Sequence, residues 1–153
     1  MPVFISHKRE DTGKAAEIAA YLSRKSVKCY IDLTDSSIQT TEDLTALLMR
    51  RVKECTHLMA VVSDYTIQSW WVPFEIGVAS QLERRITSYR LSSVNLPDFL
   101  RKWPIMASQT DLDTFVEYYR VDSLVPNAER LFKAPQISNA SEFHRSLKAA
   151  LQQ

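Results

Sequence analysis

The chain has 153 residues, 45% of them hydrophobic and 24% charged, with a formal net charge of +1. This is the make-up of one globular domain over 1–153 with a sizeable core, and it is too evenly charged to single out nucleic acid as a partner. No stretch approaches the ~20 apolar residues of a membrane span, and Met1-Pro2-Val3-Phe4 leads into a strand-like run with no secretory signal, so a complete, cytoplasmic chain is expected.

In chain order, Val3-Phe4-Ile5 is a short apolar run ended by Ser6-His7-Lys8-Arg9-Glu10-Asp11. Ala15, Ile18, Ala19 and Leu22 recur at helical spacing and predict a helix over 12–25. A β-rich run over 27–31 stops at Asp32 and gives way to a polar loop over 33–41. Leu44, Leu47, Leu48, Val52 and Cys55 form the cleanest helical stripe, over 42–55. The continuous apolar run 58–62 is what a central strand buried on both faces requires. Ser63-Asp64-Tyr65 follows it.

Ser69 is the expected N-cap of the next helix, with Trp71, Phe74, Val78 and Leu82 inward and Pro73 harmless in the first turn. Gly77 is expected to permit close packing of that helix on a sheet. A fourth strand is predicted over 86–91. The core of the domain is expected over 3–91, with irregular and helical pieces over 92–153. Within these, 96–105 has short helical or irregular character and 111–121 fits strand or helix. Asn139 and Glu142 form a capping-box start for a last helix with Phe143, Leu147 and Leu151 inward.

Only Gly13 and Gly77 occur, so neither a G-x-G-x-x-G dinucleotide loop nor a phosphate-cradling G-x-x-x-x-G-K-[ST] can be written. The serine-hydrolase G-x-S-x-G and the zinc-binding H-E-x-x-H are absent too. His7, His57 and His144 lack metal-ligand spacing, and no metal is expected. Cys29 and Cys55 sit in apolar patterns as reduced, packed thiols.

Strand and helix alternate with helices long enough to cross back over a sheet, which predicts a parallel α/β domain with right-handed crossovers. The expected architecture is a flavodoxin-like three-layer sandwich with strand order 2-1-3-4-5, the fifth strand at an edge without an assigned segment. Ligands of open parallel sheets bind beyond the carboxyl ends of the strands where strand order reverses. Ser6-His7-Lys8-Arg9, Asp32 with the 33–41 loop, and Ser63-Asp64-Tyr65 leading to Trp71 and Glu75 converge there. Helical i to i+4 spacing sets the Trp71 indole and the Glu75 carboxylate on one face. Taken singly, each has a plainer role: Glu75 as a solvated acid, Trp71 as a core aromatic, His7, Lys8 and Arg9 as a hydrated loop, Asp32 as a strand end.

Assembled in this order, the segments resemble a Toll/interleukin-1 receptor (TIR) domain of the bacterial type. The matching pieces are Val3-Phe4-Ile5-Ser6-His7, Cys29-Tyr30-Ile31-Asp32 with the loop after it, and Val61-Val62-Ser63 with Ser69-Trp70-Trp71 and Glu75-Ile76 as a W-x-x-x-E helix. The likeness runs from residue 3 to about 85, with His7 in place of the family's more common tyrosine and no glycine in the 33–41 loop. It implies an NAD+ nucleosidase or cyclase that cleaves the nicotinamide–ribose bond, giving nicotinamide and ADP-ribose or a cyclic ADP-ribose isomer. NAD+ enters as substrate, and no cofactor is implied.

On the same resemblance Glu75 is the catalytic carboxylate. The candidate substrate contacts are Phe4, Ser6, His7, Lys8, Arg9, Asp32, Leu33, Ser63, Tyr65 and Trp71. Self-association through the 33–41 loop and neighbouring surfaces is implied too. A single domain of this kind is similar to the stand-alone TIR proteins of Thoeris anti-phage defence, whose product activates a separately encoded effector. Two other classes fit the residues: a non-catalytic TIR interaction module, and a nucleoside deoxyribosyltransferase-like enzyme.

Overall fold

The computed structural model describes residues 2–31, 44–124 and 139–153. Five parallel strands form one sheet in the order β2-β1-β3-β4-β5: β1 (Val3–Ser6), β2 (Cys29–Ile31), β3 (His57–Val62), β4 (Arg85–Arg90) and β5 (Ile105–Met106). The helices are α1 (Thr12–Arg24), α2 (Leu44–Glu54), α3 (Trp71–Gln81), α4 (Gln109–Leu124) and α5 (Asn139–Ala150). The segment 111–121, which fits either state in sequence, is helical, and the fifth strand is the two-residue β5 after a 3-10 turn at Asp98–Lys102. The expected sandwich and strand order are found. Asp32, Leu33 and the 33–41 loop lie outside the described residues.

Two cores flank the sheet, and strand alternation sorts the side chains between them. Val3 and Ile5 of β1 join Met59 and Val61 of β3 against α1, α4 and α5. Phe4 faces the other way and joins Leu58, Ala60 and Val62 against α2 and α3. The stripe of α1 is buried as predicted, and so are Leu48, Val52 and Cys55 on and just beyond α2. The β5 edge is capped by a side chain. Ile105 N–H donates to Gln153 Oε1 at 3.0 Å, and Gln153 Nε2 donates back to the Ile105 carbonyl. A side-chain amide thereby occupies the hydrogen-bonding row that an added strand would need.

Helix α3 departs from the sequence reading in three ways. Its inward residues are Val72, Glu75, Ile76 and Ala79, whereas Phe74 is 39% exposed and Trp71, Val78 and Leu82 are half-buried. The helix is apolar nearly all round, so periodicity does not select a face. Short aliphatic side chains take the sheet side and the bulky rings go to the flanks. Trp70, not Ser69, occupies the N-cap position; Ser69 Oγ accepts the Trp71 N–H at 3.2 Å from one residue earlier. Gly77 is exposed, and a Cβ there would meet nothing within 4 Å, so it plays no part in close packing.

Candidate active site

The side-chain parity of β1 decides the centre of the site. Ser6 lies two residues after Phe4 and therefore points to the α2/α3 face, at the carboxyl end of the strand. Glu75 occupies the inward stripe of α3, one residue before Ile76 and three after Val72. Both side chains are fully buried, and Ser6 Oγ donates a hydrogen bond to Glu75 Oε2. A carboxylate in the interior costs several kcal/mol unless it is satisfied, so this contact reflects local necessity as much as design.

A second buried carboxylate ties the neighbouring loops together. Asp11, just ahead of α1, accepts a hydrogen bond from Ser63 Oγ at 2.6 Å, across 52 residues, and Thr66 Oγ1 approaches at 3.5 Å. Ser63 Oγ also accepts the Tyr65 N–H at 3.2 Å, and Thr66 Oγ1 accepts the Ser63 N–H at 3.0 Å. The loops after β1 and β3, on either side of the reversal in strand order, are thus fastened to each other. Asp11 and Thr66 were missed in the sequence because Arg9-Glu10-Asp11-Thr12 has the look of a hydrated helix start. The available signal was an acid at a helix N-terminus.

His7 is buried beside this clamp. Thr12 Oγ1 donates to the Arg9 carbonyl at 2.7 Å, so its oxygen receives the His7 Nε2 proton at 3.2 Å. That leaves His7 Nδ1 a buried acceptor without a hydrogen-bond partner among the described residues. Trp71 Nε1 is the matching donor in the same condition. The Trp71 ring stacks on Phe74 with centroids 5.6 Å apart, and Trp70 stands 93% exposed.

The remaining candidates differ in exposure. Phe4 is a core residue under α2 and α3, Tyr65 projects its ring to solvent, Arg9 is exposed, and Lys8 makes a surface pair with Glu10 at 3.8 Å. Among the described residues no cluster of histidine, cysteine and acidic side chains could hold a metal. No helix among them is long and apolar enough to cross a membrane. Burial raises the Cys29 thiol to about 12 and the Cys55 thiol to about 11, with the other cysteine and Glu54 respectively adding to the effect, so neither is a nucleophile at neutral pH.

A family model described as "TIR domain" matches residues 3–119. The chain is 26% identical over 95 residues to "Putative cyclic ADP-D-ribose synthase TIR2" of Cytobacillus dafuensis, covering 59% of this chain and 25% of that protein. It is 22% identical over 126 residues to "Probable 3' cyclic ADP-D-ribose synthase ThsB'" of Bacillus cereus (strain MSX-D12), covering 75% of this chain and 65% of that one. It therefore spans a quarter of the length of the first relative and just under two thirds of the second. Among solved structures, the TIR domain of the Toll-related receptor TRR-2 from Hydra magnipapillata superposes with a TM-score of 0.60 at 16% identity, covering 78% of this chain and 92% of that domain.

Proposed function

Because the chain belongs to the TIR-domain family, its model matching 117 residues from 3 to 119, we propose that it is an NAD+-consuming enzyme. In this reading it cleaves the nicotinamide–ribose bond, releasing nicotinamide with ADP-ribose or a cyclic ADP-ribose isomer, and signals in bacterial anti-phage defence of the Thoeris kind. The supporting observation is Glu75, a fully buried carboxylate held by the Ser6 hydroxyl at the carboxyl end of β1, where ligands of such sheets bind. The names of the two bacterial relatives point to the same chemistry.

Loss of nicotinamide leaves positive charge on the ribose ring, as in glycoside cleavage. A fixed carboxylate beside that ring stabilises the transition state more than the ground state. Nicotinamide departs neutral, so a single acid suffices and no partner carboxyl has to protonate it. The Ser6 hydroxyl positions Glu75 without cancelling its charge. His7 Nδ1 and Trp71 Nε1 offer an acceptor and a donor for polar groups of the substrate, and the Trp71–Phe74 stack supplies an apolar wall. Water as acceptor gives hydrolysis, and a nucleophile of the same molecule held in its place gives cyclisation.

Glu75 has no solvent-accessible surface in this state, so turnover requires its uncovering. Self-association is the proposed trigger, and a separately encoded effector the proposed receiver of the product. The test is to incubate concentrated protein with NAD+ and follow nicotinamide by chromatography, beside Glu75→Gln. Nicotinamide release by the parent chain and its loss in the variant support the reading. Absence of release under crowded, assembly-promoting conditions leaves an interaction module, and equal activity in the variant removes Glu75 from the mechanism.

A further inference from the structure

At the opposite end of the sheet, where β4 and β5 begin, α5 and Lys102 border a shallow, open cleft of about 500 Å³. Its lining includes Lys102, Ser141, His144, Arg145, Lys148 and Gln153, and no carboxylate among the described residues. Several surface cations elsewhere meet acids: Lys14 meets Glu17 at 2.6 Å, Lys25 meets Asp113 at 3.0 Å, and Arg51 meets Glu54 at 3.6 Å. Lys102, Arg145 and Lys148 form no ion pair among the described residues. Lys148 donates only to the Arg101 carbonyl, at 2.8 Å, and Lys102 lies over the Trp103 ring.

The cationic groups and the imidazole of the cleft share one hydrogen-bonding sense. His144 Nε2 accepts the Ile86 N–H at 2.8 Å, so the neutral ring carries its proton on Nδ1 and has only a donor left to offer. Gln153 spends its carbonyl oxygen on the Ile105 N–H. Two ammonium groups, a guanidinium and an imidazole N–H therefore surround a volume within the range of small-ligand sites. The geometry points to a binding site for a small phosphate-bearing anion in this cleft, separate from Glu75. Arginine and lysine donors with no competing acid are what phosphate recognition uses. The positive field is registered at His144, whose imidazole is pushed down to about 4 by burial and then by Arg85 and Lys102.

The experiment titrates the full chain with inorganic pyrophosphate, ADP and adenosine while backbone amide signals are followed by NMR. Saturable shifts confined to Lys102 and residues 141–149, seen with pyrophosphate and ADP and absent with adenosine, are expected. Arg145→Glu should weaken them about tenfold or more, with Lys102→Gln as a second, milder variant should the first fail to fold. Glu75→Gln should bind the anion unchanged, which keeps this site distinguishable from the proposed NAD+ chemistry. Non-saturating or scattered shifts, equal binding by a folded charge variant, or shifts with adenosine matching those with ADP would overturn the assignment.

Discussion

Both ends of the sheet bury carboxyl groups, and the side chains that meet them differ in kind. At the amino ends, Asp122 of α4 meets Arg85 Nη2 at 2.9 Å and lies 3.7 Å from His57 Nε2, with only 8% and 12% of the Arg85 and Asp122 side chains exposed. The rings of Tyr119, Phe143 and Phe115 wall His57, with centroids 5.0, 5.1 and 6.0 Å from the imidazole. At the carboxyl ends, Glu75 and Asp11 are met by the hydroxyls of Ser6 and Ser63. A guanidinium neutralises the acid it holds and fixes it as structure. A hydroxyl orients an acid without bringing a charge of its own to it.

Cutting the amino-end cluster gives the largest expected effect. Asp122→Ala removes the carboxylate that meets the buried Arg85 guanidinium and should cost about 3–5 kcal/mol in urea unfolding, without altering the proposed NAD+ turnover per folded molecule. An unchanged unfolding midpoint would show that the cluster carries no structural weight. Next comes Glu75→Gln, which on the proposed function should lower nicotinamide release by roughly a hundredfold to a thousandfold, about 3–4 kcal/mol, while the fold persists. A large loss of stability with activity retained would reverse the roles assigned to the two ends.

Ser6→Ala sharpens the contrast at the hydroxyl itself. Losing a hydrogen bond to a charged group should cost about 2 kcal/mol, seen as a roughly thirtyfold fall in kcat with the secondary structure intact by circular dichroism. The smallest effect is a pH dependence at the amino end. His144 titrates at 6.5 when unfolded and at about 4 when folded, so between those values the unfolded chain binds more protons. Stability is therefore present above pH 6.5 and falls as pH drops towards 4. The loss should be on the order of 1–2 kcal/mol once solvent screening of this half-buried ring is discounted. Thermal melts across that window should show a slope that His144→Gln flattens.

Much of this was legible along the chain. The apolar runs of β1 and β3, the stripes of α1 and α2, and the alternation of strand and helix are local periodicities, and they carried the sheet order and the point where it reverses. Glu75 stood out beside Trp71 for the same reason. The inward face of α3 was not legible because Trp, Val, Phe and Ile surround it, and burial on the sheet chose the smaller side chains. Asp11 escaped notice because its partner is 52 residues away. The basic cleft was equally invisible: Lys102 and the cations of α5 are separated in sequence and meet only where α5 docks on β4.

By itself the sequence determined the class of fold and the strand order and singled out Glu75 as the candidate acid, because period and parity are written in neighbouring residues. Only the tertiary structure decided that Ser6 holds Glu75, that Asp11 locks two loops, and that a guanidinium meets the buried acid at the amino ends. Those outcomes depend on contacts between distant segments, and their energies come from desolvation, which exists only once the chain has closed around them.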